Sequence, residues 1–264
     1  MIILIYMIGF FIKKAFFDGW DNLVVMVLYN LGFIAFLFGI WAAMGLGVTN
    51  PVLAYVVLAV LLFAFSVFCG AISHLTHAWS CYEHDSWANF KEGFKRNFRH
   101  SVLFFVVLLL LTLLIFFVMP FYSSFSNILG LIITVVLFWV VLSFALALCY
   151  YFPLTELLPG DRPLKTLKKC FVILIDNFGF SIFFGIYRLL MLALTIATMG
   201  LIPGGAGLSL AHQVAGRLIM LKYDYIEANT DVDRKHLPWE DILYEEREKV
   251  GPRSFKNMIF PWKD

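Results

Sequence analysis

Apolar runs about as long as a bilayer is thick recur along the whole of this 264-residue chain, and they constrain its fold more than any other feature. They cover approximately 23–46, 51–76, 101–119, 126–151, 178–199 and 205–222. At 1.5 Å per residue, roughly 20 helical residues cross a hydrocarbon layer of about 30 Å. Composition agrees, with 61% of residues hydrophobic and only 14% charged, whereas soluble domains run nearer half and a quarter. Lipid offers the backbone no water to bond, so spanning segments must be helices or a closed barrel. The expectation is an all-α polytopic membrane protein of about six transmembrane helices, paired as three hairpins in one membrane domain over residues 1–225. The opening MIILIYMIGFFIKK has its lysines after the apolar stretch, the reverse of a secretory signal, and is expected to be retained.

Charge is distributed unevenly about the runs. The hairpin tips GVTNP (47–51), PFYSSFSN (120–127) and GLIPGG (200–205) carry no charged residue. Basic residues collect at the opposite ends: Lys13 and Lys14; Lys91, Lys95, Arg96 and Arg99; Arg162, Lys165, Lys168 and Lys169. The positive-inside rule then predicts cytoplasmic N and C termini. A formal charge of +2 argues for no nucleic-acid partner.

The segments that enter the hairpins resemble one another. FFDGWDN (16–22), FKEGFKRN (90–97) and LIDNFGF (174–180) contain Asn22, Asn97 and Asn177, spaced by 75 and then 80 residues. Before each entry, aromatic and aliphatic residues recur at helical spacing among lysines, as in Trp87, Phe90, Phe94 and Phe98. Such amphipathic helices suit the headgroup plane. Three repeat units are expected, about 10–76, 86–151 and 163–222.

FKEGFKRNFRHSVLFFVVLLLL (90–111) and YFPLTELLPGDRPLKTLKKCFVILIDNFGF (151–180) resemble the interfacial stretch and second cytoplasmic connection of the YesL-like family of bacterial membrane proteins. The resemblance covers roughly 17–225 and carries no catalytic signature. It implies residence in the bacterial cytoplasmic (inner) membrane and an accessory role beside uptake or polysaccharide-degrading systems.

Few residues in the runs can carry chemistry. Arg188 stands near the middle of SIFFGIYRLLMLALTIA, where a charge costs at least about 2.5–3.5 kcal/mol and needs a partner. That partner is a substrate, lipid phosphate or other anion, or else backbone carbonyls, Asn30 or the polar face of the last hairpin. His212 and Gln213 follow the Gly-rich break GLIPGGAGL: interrupted helices often line transporter sites, while the ordinary reading is a tight hairpin tip at Pro203 with His212 hydrogen-bonded to a neighbouring helix. Arg217 sits near Lys222 and is equally explained by snorkelling to headgroups. Arg188, Arg217, His212, Gln213 and Asn30 are the candidate ligand- or lipid-binding residues.

His74, His77, Cys81 and His84 share one helical face at spacings of 3, 4 and 3. They are weak metal candidates, because one helix cannot wrap a tetrahedral ion. The four cysteines show no CxxC spacing, and no GxSxG, HExxH or phosphate-cradling loop occurs. No enzyme activity and no cofactor are expected; Asp176 and His212 are the only acid–base candidates.

The tail, 226–264, changes character. LPWEDILYEEREK (237–249) reads as an acidic helix. Phe255, Met258, Phe260 and Trp262 then alternate with Arg253, Lys256 and Lys263, a pattern suited to docking on a membrane surface or a partner protein. The first functional expectation is an accessory or scaffolding membrane protein, a subunit or partner of a transport or envelope-assembly system. The second is a carrier or lipid-handling protein with a polar cavity around Arg188 and His212.

Overall fold

The computed structural model describes residues 2–83, 86–125, 127–229 and 237–253. Among the described residues there are helices and no strand. In chain order they are α1 (Ile2–Asp21), α2 (Leu23–Thr49), α3 (Pro51–Ser80), α4 (Ser86–Arg96), α5 (Phe98–Ser123) and α6 (Ile128–Leu157). There follow α7 (Pro163–Asp176), α8 (Phe178–Ala197), α9 (Gly204–Ala228), α10 (Trp239–Ile242) and α11 (Tyr244–Val250). Five of these, α2, α3, α5, α6 and α8, are long and apolar enough to cross a membrane. The protein is a polytopic helical membrane protein.

The sixth span expected at 205–222 corresponds to α9, which is not among the five. Ser209, His212, Gln213 and Arg217 lower its hydropathy, and its surroundings tolerate them. Leu210, Val214, Ala215, Leu218 and Ile219 are each no more than 1% exposed, because α1, α2, α3, α6 and α8 surround the helix. A helix walled by protein can hold Gln213 and Arg217 where a lipid-facing one could not.

The turn between α8 and α9 is equally enclosed. Asn30 Nδ2 donates to the Leu201 and Pro203 carbonyls at 2.7 and 2.8 Å, and its Oδ1 accepts from the Ala206 amide at 2.8 Å. Gly200 lies against Ile34. Asn30 and Ile34 stand only about 10–17 Å along α2, a helix roughly 40 Å long at 1.5 Å per residue. The third turn therefore sits beside the first half of α2, and α9 begins inside the bundle.

Asn22, Asn97 and Asn177 each mark a helix break, between α1 and α2, α4 and α5, and α7 and α8. Asn22 and Asn177 turn their side-chain amides back to the Asp18 and Ile173 carbonyls, four residues earlier. Asn97 instead reaches across to the Gly70 carbonyl and to Glu156. The α4 helix approaches α3 closely at Gly93, where a Cβ would fall 2.8–2.9 Å from Ala71 backbone atoms; small residues permit such contacts. Trp87 and Phe94 remain exposed on its outer side.

The α1 helix departs from the expected surface amphipath. Phe11 is buried edge-on against Phe180, Phe183, Phe184 and Tyr187, with ring centroids 5.0–5.9 Å apart, a favoured aromatic geometry. Lys14, which the sequence places among the cytoplasmic lysines, is completely enclosed. Residues 237–253 fold back over this region, burying Leu237, Trp239, Leu243 and Val250.

Candidate functional site

A cavity of about 460 Å³ lies among α2, α3, α5, α6, α8 and α9, within the size range of small-molecule sites. Phe33, Phe65, Phe104, Leu108, Phe116 and Val141 make most of its wall. Its polar groups are Thr112, Arg188, Ser209, His212 and Gln213. Three of the residues singled out in the sequence thus meet at one space.

Arg188 stands on α8 and both His212 and Gln213 on α9, and each leaves one polar atom unused. Arg188, on α8, donates through Nη1 to the Ala145 carbonyl at 3.2 Å and to Cys149 Sγ at 2.8 Å, both on α6. Its Nε is buried without a partner. His212 lies edge-on to Phe184 at 5.5 Å between centroids, and its Nε2 has no partner. Gln213 donates from Nε2 to Ser73 Oγ at 2.6 Å and to the Ser73 carbonyl at 3.2 Å, leaving Oε1 unbonded. Thr76 and Ser209 hydroxyls meet at 2.9 Å beside this pair. A buried polar atom without a partner costs about 1–3 kcal/mol, so three at one cavity call for a common explanation.

The other two candidates lie elsewhere. Asn30 is consumed by the backbone of the α8–α9 turn, a structural duty. Arg217 does not snorkel: its Nε and Nη2 grip Glu246 Oε1 at 3.1 and 2.7 Å, and Nη1 meets Cys81 Sγ at 2.8 Å. Asp176 is engaged by Lys222 and Tyr223, away from the cavity.

Arg217 belongs to a buried charge network that sequence reasoning missed. Lys14 Nζ contacts Asp18 at 3.0 Å and Glu246 at 3.3 Å, and donates to Tyr82 Oη at 2.8 Å and to the Ser80 carbonyl at 3.0 Å. Two carboxylates share one ammonium, and Glu246 alone also has Arg217. Burial accordingly pushes the Asp18 carboxyl up to about 6 despite Lys14 beside it. Burial opposes the charge on Glu246 too, but Lys14 and Arg217 outweigh it and hold that carboxyl below its ordinary value. Lys14 is likewise raised: Asp18, Tyr82 and Glu246 overcome its burial. Burial would also raise the Cys81 thiol, yet His77 and Arg217 bring it below its ordinary value.

A third buried carboxylate, Glu156, was also missed. His74 Nδ1 lies 2.9 Å from it, Asn97 Nδ2 donates at 2.6 Å and Arg96 Nε stands at 3.4 Å. Its setting, YFPLTELLPGD, reads as a connection between spans; only the fold reveals that 151–156 are all buried. Of the weak metal candidates, His74 is turned to Glu156, His77 and Cys81 are 3.8 Å apart, and His84 lies outside the described residues. No group of three or more metal-ligating residues occurs among the described residues. The expected docking residues Phe255, Met258, Phe260 and Trp262 also lie outside them.

Compared with known proteins, the chain matches no family model, no curated sequence and no solved structure. Its site has to be read from its own geometry.

Proposed function

We propose that the protein is a carrier or lipid-handling membrane protein whose binding site is the cavity around Arg188 and His212. The observation that carries this reading is the convergence of Arg188, His212 and Gln213, each with an unused buried polar atom, on one otherwise apolar space. Intramembrane ionisable residues characteristically mark substrate pathways, and helices that begin inside a membrane domain characteristically border transporter sites. The reading gives the chain no catalytic role. It places both termini in the cytoplasm, with the basic clusters, in a bacterial inner membrane, and it treats the three Asn-marked helix breaks as traces of an internal repeat. Kinship with the YesL-like family belongs to the same proposal.

The test is to extract the protein gently from its own membrane and identify retained lipids and solutes by mass spectrometry, beside Arg188→Gln and a cavity-filling Leu111→Trp. A species retained by the parent protein and lost from both variants supports the reading. Identical profiles in all three proteins would remove it.

The accessory-subunit reading has its own support in the lipid-facing surfaces: in α5 and α6 only 6% of the most apolar window is buried. Those faces leave room for a partner helix. A second protein that co-purifies with the full chain, and is lost when residues after Gly251 are removed, would favour that reading over the carrier.

A further inference from the structure

We infer that the cavity seats an amphiphile with one compact anionic group, a phosphate or carboxylate, bound at Arg188 with its chain along the aromatic wall and out into the surrounding lipid. This deepens the carrier reading and rests on it.

Charge is the first argument. Arg188 is the only charged residue lining the cavity among the described residues, and its hydrogen bonds go to a carbonyl and a sulfur rather than to a carboxylate. The half-buried guanidinium lacks a counter-charge inside an apolar span, where a charge is costly without a partner. Its Nε still has a hydrogen to donate. Carboxylate and phosphate are the anions whose paired oxygens match a guanidinium edge.

Field and polarity point the same way. The cavity lies along the flank of α9, which lines it with Gly205, Leu208, Ser209, His212 and Gln213, so the partial positive charge of its first turn lies beside the space. Side chains of Asn30 and Thr195 already take the Ala206 and Gly204 amides; the dipole is thus oriented by the fold before any ligand arrives. Gln213, 1% exposed, offers Oε1 as a free acceptor, which suits a hydroxyl next to the anion. His212 Nε2 can donate or accept according to its tautomer.

The rest of the wall is too apolar for a free hydrated anion and is not sealed. Ala145, which holds Arg188, is itself exposed, and Phe116 is 68% exposed. The α5 and α6 helices meet at the turn joining them and, at their other ends, where Phe104 packs on Tyr151 and Phe152. Along α5 the wall includes a widened turn, Leu114–Val118, where the Met119 amide bonds five residues back to Leu114. Pro120, lacking an amide hydrogen and crowding the carbonyl four residues earlier, accounts for that widening. Ile115 and Phe116 of this turn border the cavity, giving a chain a route sideways into lipid.

The experiment uses the full chain in phosphatidylcholine nanodiscs, with equilibrium binding of three radiolabelled probes: oleoyl lysophosphatidic acid, the uncharged monooleoylglycerol, and inorganic phosphate. The expected result is saturable binding of the lysophosphatidic acid alone, weakened at least tenfold in Arg188→Gln and partly restored in Arg188→Lys. Ala145→Leu, which keeps the arginine while narrowing its surroundings, should weaken binding as well, and serves if Arg188→Gln does not fold. Monooleoylglycerol bound as tightly, and indifferently to Arg188, would overturn the anion seat while leaving a lipid-binding cavity. Phosphate bound as tightly as the lipid would overturn the amphiphile and indicate a small-anion site. Binding of no probe would overturn this inference and count against the carrier reading together.

Discussion

Replacing Asn30 by alanine should destabilise the protein by about 2–4 kcal/mol, although Asn30 does not line the cavity. Its side chain makes three hydrogen bonds of 2.7–2.8 Å to the backbone of the α8–α9 turn. Hydrogen bonds within membrane domains average about 0.6 kcal/mol and reach about 1.7, and a buried group left unbonded adds about 1–3. Leu201 and Pro203 carbonyls and the Ala206 amide have no water at hand to replace the side chain, so the sum lies toward the upper part of these ranges. Asn30→Asp should be no milder: it keeps the acceptor for Ala206 but turns a second acceptor toward two carbonyls. Gly204→Ala reaches the same bonds independently, since its Cβ would lie 2.2 Å from Asn30 Cγ on a backbone with φ of +61°. The two substitutions should therefore be less than additive. Asn50→Ala provides the comparison. That residue caps α3 through a single bond to the Leu53 amide at an exposed tip, worth about 1 kcal/mol. Thermal and denaturant unfolding of the purified proteins, followed by tryptophan fluorescence, measures each difference. If Asn30→Ala unfolds within about 0.5 kcal/mol of Asn50→Ala, a margin near the usual scatter of additivity, the buried-turn reasoning is wrong.

Asp18 gives a prediction in pH. Its folded carboxyl titrates at about 6 against an ordinary 3.8, so between these values the folded state holds more protons than the unfolded one and stability falls as pH rises. Asp18→Asn lacks that dependence and should gain on the parent protein by up to about 3 kcal/mol between pH 4 and 7, at roughly 1.4 kcal/mol per unit; parallel stability profiles would refute it. Glu246→Ala leaves Arg217 without its carboxylate and costs about 3 kcal/mol, the low end for breaking a buried pair, because Lys14 keeps Asp18. Limited proteolysis should then cut within 237–253 faster than in the parent chain, and an unchanged cleavage rate would show that Glu246 does not hold this segment down.

Residue type and spacing carried the membrane class. The five long apolar helices lie where runs of about 20 apolar residues lie, since a helix in lipid satisfies its backbone alone and needs no information from elsewhere in the chain. Arg188, His212 and Gln213 were legible for a related reason: a charge or amide inside an apolar run is costly wherever it points, so each announces a partner. Asn22, Asn97 and Asn177 could be picked out by alignment of the chain with itself, and each stands at a helix break.

What the sequence by itself could not convey was direction and depth. The run at 205–222 reads as a sixth span, yet α9 is less apolar than the other five, and its polar stripe is tolerable because α1, α2, α3, α6 and α8 enclose it. Asn30 looked like a possible partner for Arg188 and instead secures a turn from the other end of the chain. Lys14 looked like a surface lysine, whereas Asp18, Tyr82 and Glu246 gather around it from three segments. Hydrophobic length is a local property that each run expresses unaided. Whether a polar atom finds a partner is decided by contacts between residues as far apart as Lys14 and Glu246, and only the packed structure sets those distances.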